Sequence, residues 1–285
     1  MQRLLVVGAS GLVGAELVRR ARGRDLEVVG AARTVASEAT VALDLGDRAA
    51  VRRVLEETEP DVVILASAWP HVDGCESDPQ RSQRENIETY RNVVEASAGS
   101  TRLVFYSTDH VFDGEKDGPY TEDDRPNPLN VYSRHKLEAE QLILGHGRAL
   151  VVRTGWVFGQ ELRRKNFVYR VIDVARRGEV LKVPPRQAGC PTFSGWLSDA
   201  TLTLLGQGTE GVVHLTGGEP HTKAQWAETI ARSLGLELRI EEVDAAASGQ
   251  VAPRPERVVL ASARHTLAQP PVKGILRAER QRLLC

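Results

Sequence analysis

A chain of 285 residues is long enough to bury the core of one large α/β domain, or of a larger domain with a smaller partner, and this excludes a disulfide-stapled miniature. Its 37 basic and 38 acidic residues leave a net charge of -1, so no global field draws nucleic acid or an anionic membrane, and a small anionic ligand needs a local site. Three cysteines, Cys75, Cys190 and Cys285, share no C-x-x-C or Cys/His spacing, which points to free thiols in a reducing, cytoplasmic compartment and to no structural metal site.

The first run, "MQRLLVVGASGLVGAELV", starts like a signal peptide, with a basic residue ahead of an apolar stretch. Three glycines and Glu16 interrupt it, so it reads as a strand entering a helix. Between the two lies Gly8-Ala9-Ser10-Gly11-Leu12-Val13-Gly14. Glycine permits a tight turn and close approach to a pyrophosphate, and a helix N-terminus offers unpaired N–H groups to the anion. The spacing of Gly8, Gly11 and Gly14 is that of a dinucleotide-binding loop, with Ser10, Leu12 and Val13 as further contacts. The second strand, "LEVVGAAR", ends on Arg33 and no carboxylate. A basic residue there suits the 2′-phosphate, so NADPH is expected, with NADH left open.

The runs "PDVVILASA", "TRLVFYST" and "ALVVRTGWVF" continue the pattern of apolar strands separated by amphipathic segments. Such alternation predicts a Rossmann-type, doubly wound parallel α/β sheet over residues 1–158, and no run is long enough for a membrane span. "TRLVFYST" delivers Ser107, Thr108 and Asp109 to the carboxyl edge of the sheet, where α/β proteins bind ligands and a hydroxyl can bond a substrate carbonyl.

Next comes "NVYSRHKLEAEQLIL", a predicted helix capped by Asn130 or Ser133, with Tyr132 and Lys136 four residues apart on one face. Hydride transfer to a carbonyl leaves an alkoxide that needs a proton. A phenol titrates at about 10, and the nearby ammonium is expected to lower that value toward working pH. Taken alone, such a pair usually just lines a solvated helix face; the glycine loop and Thr108 ahead of it favour chemistry.

After about Phe158 the chain grows richer in Pro, Gly and Arg, and residues 159–285 are expected to form mainly a smaller C-terminal substrate-binding region, with some segments returning to the first domain. "NFVYRVIDVARRG" and "TKAQWAETIARSLGL" read as helices, the second packing through Trp226, while "GVVHLTG" and "ELRIEEV" read as strands and "AAASGQVAPRPERVVL" as a surface loop. Arg254 in that loop is a candidate for a substrate diphosphate because guanidinium suits phosphate geometry; a solvated arginine is the alternative.

The Gly8/Gly11/Gly14 loop, "YSTDHVFDG", "PLNVYSRHK" and "VVRTGWVFG" together resemble the extended short-chain dehydrogenase/reductase superfamily, and most closely its dTDP-4-dehydrorhamnose reductase branch. "HVDGCESDP", "RQAGCPT", "GVVHLTG" and "RPERVVL" echo that branch in the same order. The resemblance implies an oxidoreductase that reduces the 4-keto group of a nucleotide-linked 6-deoxysugar, and it leaves a homodimer open. It implies Thr108 as the triad hydroxyl, Tyr132 as proton donor, and Lys136 as electrostatic partner and ribose ligand. Trp156 and Asp109 fall on the substrate side, Ala66-Ser67-Ala68 runs beside the cofactor, and Asp44-Leu45 matches the adenine-binding pair. The chain departs from the branch at His110 in place of a tyrosine, at Arg186-Gln187, at Cys190 in place of alanine, and at Ala66 where asparagine is frequent. These departures bear on sugar and nucleotide identity more than on the reaction. "HVFDGEKDGPYTEDDRPNPLNVYSRHK" also resembles the regulatory β subunit of methionine adenosyltransferase, a non-catalytic alternative that Thr108 and Trp156 disfavour, and a nucleotide-sugar epimerase is a third reading that Arg33 disfavours.

Overall fold

The computed structural model describes residues 2–24, 26–33 and 40–285. Its first part comprises β1 (Arg3–Val7), α1 (Leu12–Arg22), β2 (Glu27–Ala32), β3 (Thr40–Ala42), α2 (Arg48–Thr58), β4 (Val62–Leu65), α3 (Val72–Ser77), α4 (Pro79–Gln83), α5 (Thr89–Ala96), β5 (Arg102–Thr108), α6 (Val131–Leu144) and β6 (Ala149–Thr154). The remainder adds β7 (Val157–Phe158), α7 (Phe167–Arg176), β8 (Val180–Val183), β9 (Ala188–Gly189), β10 (Thr192–Phe193), α8 (Ser194–Gly206), β11 (Gly211–His214), β12 (His221–Thr222), α9 (Lys223–Leu234), β13 (Arg239–Glu242), α10 (Val272–Ala278) and α11 (Arg280–Leu284).

Seven strands form one sheet in the order β11-β6-β5-β4-β1-β2-β3, and every pairing in it is parallel. The order reverses between β1 and β4, which opens a crevice at their carboxyl ends. All of β4, β5 and β6 is buried, as strands covered on both faces must be. One face carries α2, α5 and α6 over Leu5, Val63, Phe105 and Val151; the other carries α1 and α8 over Leu4, Val6, Ile64 and Val152.

α8 and β11 come from the C-terminal half of the chain and pack into this first layer system. Tyr106 Oη donates to Thr201 Oγ1 at 2.8 Å, and Asp199 of α8 pairs with Arg20 and Arg24 at the end of α1. The other C-terminal segments form a second core of Phe158, Val168, Ile172, Trp226, Ile230 and Leu276, with the Phe158 and Trp226 rings edge-on at 5.0 Å. Trp226 packs in that core as its helical pattern predicts. The run "ALVVRTGWVF" divides into β6 and β7 because Trp156 adopts φ +48°, a left-handed conformation that stops the strand. β3 has three residues, too few for an alternating pattern to announce it. Among the described residues, no helix is long and apolar enough to cross a membrane.

Helix α6 carries the Tyr132/Lys136 face and is fixed at both ends. Asn130 caps it by accepting from Ser133 N at 2.9 Å, and Ser133 Oγ accepts from Asn130 N, so both residues proposed as caps act together. One turn beyond Lys136, Glu140 meets Arg153 of β6 in a bidentate pair with distances of 2.7 to 3.2 Å, both side chains buried. Removing one partner strands the other charge out of water. Glu140→Ala is expected to lower unfolding free energy by about 3–5 kcal/mol. Urea denaturation followed by circular dichroism measures this, and an unchanged midpoint and slope would contradict it.

Candidate active site

At the end of β1 the chain turns at Gly8, whose φ of +88° suits glycine. A Cβ on Gly8 would lie 2.7 Å from Ser67 N, so the glycine lets the β1 turn approach the segment after β4. A Cβ on Gly14 would lie 2.6 Å from the Gly8 carbonyl carbon, so α1 packs directly on the turn. Gly11 is the N-cap of α1, with no side chain occupying the cap and no acidic residue in the first turn, Leu12, Val13 and Gly14. The first-turn N–H groups and the positive end of the helix dipole are therefore left for an anion, and half-buried Ser10 stands at the same turn.

The segment after β4 is held from three sides. Ala66 N donates to Val7 O at 2.9 Å, Tyr90 Oη donates to Ser67 O, and Asn86 brackets Trp69, accepting from its N at 2.9 Å and donating to its O at 3.2 Å. Ala68 is exposed beside them. Asn86 lies in a π-helical turn, Arg84–Glu88, a local widening that recurs at functional sites.

That turn also lines a groove with Arg33, Asp44, Gly46, Asn92 and Arg91. Arg33 is exposed, with Nη1 3.4 Å from Glu85 Oε2. Asp44 is exposed and accepts from Gly46 N at 2.8 Å; Leu45 is buried and its carbonyl accepts from Asn92 Nδ2 at 2.8 Å. Arg33 and Asp44, assigned from sequence to the adenosine end, thus stand on one groove, and Leu45 lies buried behind it, tied to it through Asn92.

Beyond β5, Thr108 is buried, and its side chain lies beside the Tyr132 phenol, where it favours the ionised form. Lys136 Nζ donates to Tyr106 O at 2.6 Å and sits 3.9 Å above the centre of the Phe105 ring. The expectation that the phenol's pKa falls toward working pH is corrected here, because burial sets the net direction. Burial, reinforced by the Asp109 carboxylate, pushes Tyr132 up, and burial lowers Lys136 to about 7. Both groups leave water together, and the lysine spends its hydrogen bond on a backbone carbonyl. A phenol so placed keeps its proton at neutral pH, the state required of a donor.

Asp109 is buried against Gly155, where a Cβ would lie 2.8 Å from Asp109 Oδ1. Thr108 Oγ1 donates to that oxygen at 3.2 Å. Asp109 opens a pocket of about 250 Å³ that runs past His110 and Trp156 to Lys223, Gln187 and Arg254. His110 has a buried Nδ1 with no partner among the described residues, and burial lowers its pKa, so the imidazole stands neutral. Trp156 is held by its left-handed backbone and by Gly189, where a Cβ would come within 2.6 Å of the indole.

Arg254 lines the pocket, but its guanidinium is already spoken for: Nη1 and Nη2 donate to the two oxygens of Asp73 at 2.8 and 2.7 Å, and Nη1 also donates to Ala252 O at 2.7 Å. Asp73 accepts as well from Val251 N and Ala252 N. Against the cost of burial, these donors hold its carboxyl well below the usual carboxylate range. Cys190 is buried, and burial pushes its thiol up to about 11, so it packs as a neutral group.

Sequence reasoning missed Gly155, Asn86 and Lys223. Gly155 stood in a recognised motif, yet a glycine's reason is a neighbour's bulk, which only the fold supplies. Asn86 and Lys223 carried no spacing signal.

The sequence profile of the RmlD substrate binding domain family matches residues 1–272. The chain belongs to this family. It is 35% identical over 242 residues to a dTDP-4-dehydrorhamnose reductase of Burkholderia thailandensis, covering 81% of this chain and 78% of the relative. It is 34% identical over 263 residues to a probable dTDP-4,6-dihydroxy-2-methyloxan-3-one 4-ketoreductase of Streptomyces antibioticus, covering 90% and 86%. Among solved structures, dTDP-4-dehydrorhamnose reductase of Bacillus anthracis in complex with NADP superposes with a TM-score of 0.89 at 25% identity over 98% of each chain. Within the RmlD family fold, the glycine turn of this chain fits a dinucleotide: the close approaches at Gly8 and Gly14 and the open N-terminus of α1 leave room and donors for a pyrophosphate. Gly14→Ala is expected to weaken NADPH binding about tenfold or more, since overpacking the turn displaces α1. Gly218→Ala, whose Cβ would meet nothing within 4 Å, serves as the control. Fluorescence titration of NADPH measures both, and equal affinities would contradict the assignment.

Proposed function

We infer that this RmlD family member is an NADPH-dependent oxidoreductase that reduces the 4-keto group of a nucleotide-linked 4-keto-6-deoxysugar, as in deoxysugar biosynthesis. The observation that carries the reading is the placement of the Tyr132 phenol beside Thr108 at the carboxyl edge of the sheet, with Lys136 one turn along the same helix and the glycine turn of β1 on the neighbouring strand position but one. Relatives named as a probable 4-ketoreductase and as a dTDP-4-dehydrorhamnose reductase favour turnover over the regulatory reading.

When bound along Gly8, Gly11 and Gly14, with Arg33 toward the 2′-phosphate, NADPH supplies the hydride equivalent. The chain's own residues do the rest. Thr108 Oγ1 and Tyr132 Oη bond the substrate carbonyl oxygen, fixing its orientation and stabilising the negative charge that develops there. Tyr132 Oη gives its proton to that oxygen, and the nearby Lys136 ammonium stabilises the phenolate left behind. Burial of Lys136 makes its charge act at low dielectric, so its effect on the phenolate exceeds that of a solvated lysine. Trp156 and neutral His110 line the sugar side, and Asp44, Leu45, Ala66, Ser67 and Ala68 flank the cofactor.

The test is NADPH oxidation with a dTDP-4-keto-6-deoxysugar. Wild type is expected to turn over, and Tyr132→Phe to lose about 10²–10⁴ of kcat with its NADPH affinity kept. A wild type that binds NADPH yet consumes none on any such sugar would overturn the reading, and full activity in Tyr132→Phe would remove the proton donor.

A further inference from the structure

The pocket beside Asp109 holds a cation, Lys223, whose position is built and whose ammonium has no ion pair among the described residues. Lys223 is the first residue of α9, and its backbone is fixed three ways. β12 pairs antiparallel with β9, Lys223 N donates to Gln187 O at 3.1 Å, and Thr222 with Gln225 closes a capping box around the helix start. Its side chain lies across two rings, the ammonium 3.4 Å from the centre of the Trp156 indole and 4.8 Å from that of Phe167. Trp156 is itself immobilised by Gly189 and by its left-handed backbone, so the ammonium rests on a fixed platform.

Among the described residues, Lys223 makes no hydrogen bond through its ammonium and no ion pair, and burial depresses its pKa to about 7 while Asp109 opposes the shift. Aromatic faces hold a cation without using its N–H donors. The N–H donors not turned to the rings therefore have no acceptor among the described residues and are left for whatever enters the pocket. The other charges on the wall give the same sign. Arg254 and Asp73 neutralise each other, which leaves Arg170, Lys182 and Lys223 against Asp109. A sugar whose carbonyl sits at Thr108 and Tyr132 places its next charged group farther along this pocket, past Trp156.

We propose that Lys223, supported by Arg170, is the cation of this chain that binds the diphosphate of the nucleotide-sugar substrate, and that Arg254 serves to strap the loop that closes the pocket. This rests on the reading of the chain as acting on a nucleotide-linked sugar. The chemistry follows from exposure. A half-buried ammonium without a counter-charge gains more from an incoming phosphate oxygen than a solvated lysine does, because there is little water left to displace. Arg254, already bidentate with a carboxylate, gains less.

The experiment is calorimetric titration of the full-length protein with dTDP, dTMP and thymidine, for wild type, Lys223→Gln, Lys223→Arg and Arg254→Ala, with NADPH titration alongside. In wild type dTDP is expected to bind more tightly than dTMP and thymidine. Lys223→Gln should weaken dTDP about tenfold or more while leaving thymidine and NADPH as they were, and Lys223→Arg should recover most of the loss. The proposal is overturned if Lys223→Gln binds dTDP like wild type, if it loses NADPH to the same degree, if Arg254→Ala alone abolishes the dTDP preference, or if wild type does not distinguish dTDP from thymidine. Catalysis is scored separately. A Lys223-dependent dTDP affinity in a protein that reduces no keto-sugar would leave this inference standing and remove the proposed activity, while turnover with an unchanged KM in Lys223→Gln would do the reverse.

Discussion

The buried carboxylate of Asp109 is the charge against which the rest of the site is set. It lies where β5 ends, against a glycine position with no room for a Cβ, and among the described residues its side-chain hydrogen bond comes from Thr108. A negative charge kept out of water at that point favours the protonated form of each group around it. It adds to the burial that raises Tyr132 and Cys190, and it opposes the burial that would strip protons from His110 and Lys223. A site poised to donate a proton needs its acid loaded, and one carboxylate biases several neighbours toward that state.

Around this charge the fold brings three separate pieces of chain together. β5 delivers Thr108 and Asp109, α6 delivers Tyr132 and Lys136, and the C-terminal region delivers Lys223 and the strapped loop. The loop is tied down by side chains from both halves: Asp73 holds Val251, Ala252 and Arg254, Asn130 Nδ2 donates to Pro253 O at 2.8 Å, and Gln187 exchanges amide hydrogen bonds with Gln250. Because Asn130 also caps α6, the helix that carries the acid and the loop that walls the pocket share an anchor. Closing the pocket and orienting Tyr132 are thereby coupled through one residue.

The sheet and its cofactor end were largely legible in the sequence. Strands buried on both faces read as unbroken apolar runs, and a glycine turn between strand and helix has few other uses. The Tyr132/Lys136 pair was legible too, as an i, i+4 spacing, but its electrostatics were not. Whether a lysine lowers a phenol's pKa depends on what else is buried with the two and on where the lysine's hydrogen bond goes, and here it goes to Tyr106 O. Arg254 shows the same limit. Its side chain chemistry suited a phosphate, while its partner, Asp73, is 181 residues away in sequence. Lys223 gave no sign because its meaning lies in the indole beneath it and in its ammonium having no ion pair or hydrogen bond among the described residues, both set by tertiary packing.

The central claim, that hydride reaches C4 of a nucleotide-linked sugar while Tyr132 protonates the oxygen, is tested most directly by isotope. With NADPH deuterated at the transferring position and a dTDP-4-keto-6-deoxysugar, the account predicts one deuterium on C4 of the product sugar, read by NMR and mass spectrometry. Product carrying no deuterium, or carrying it at another carbon, would contradict it.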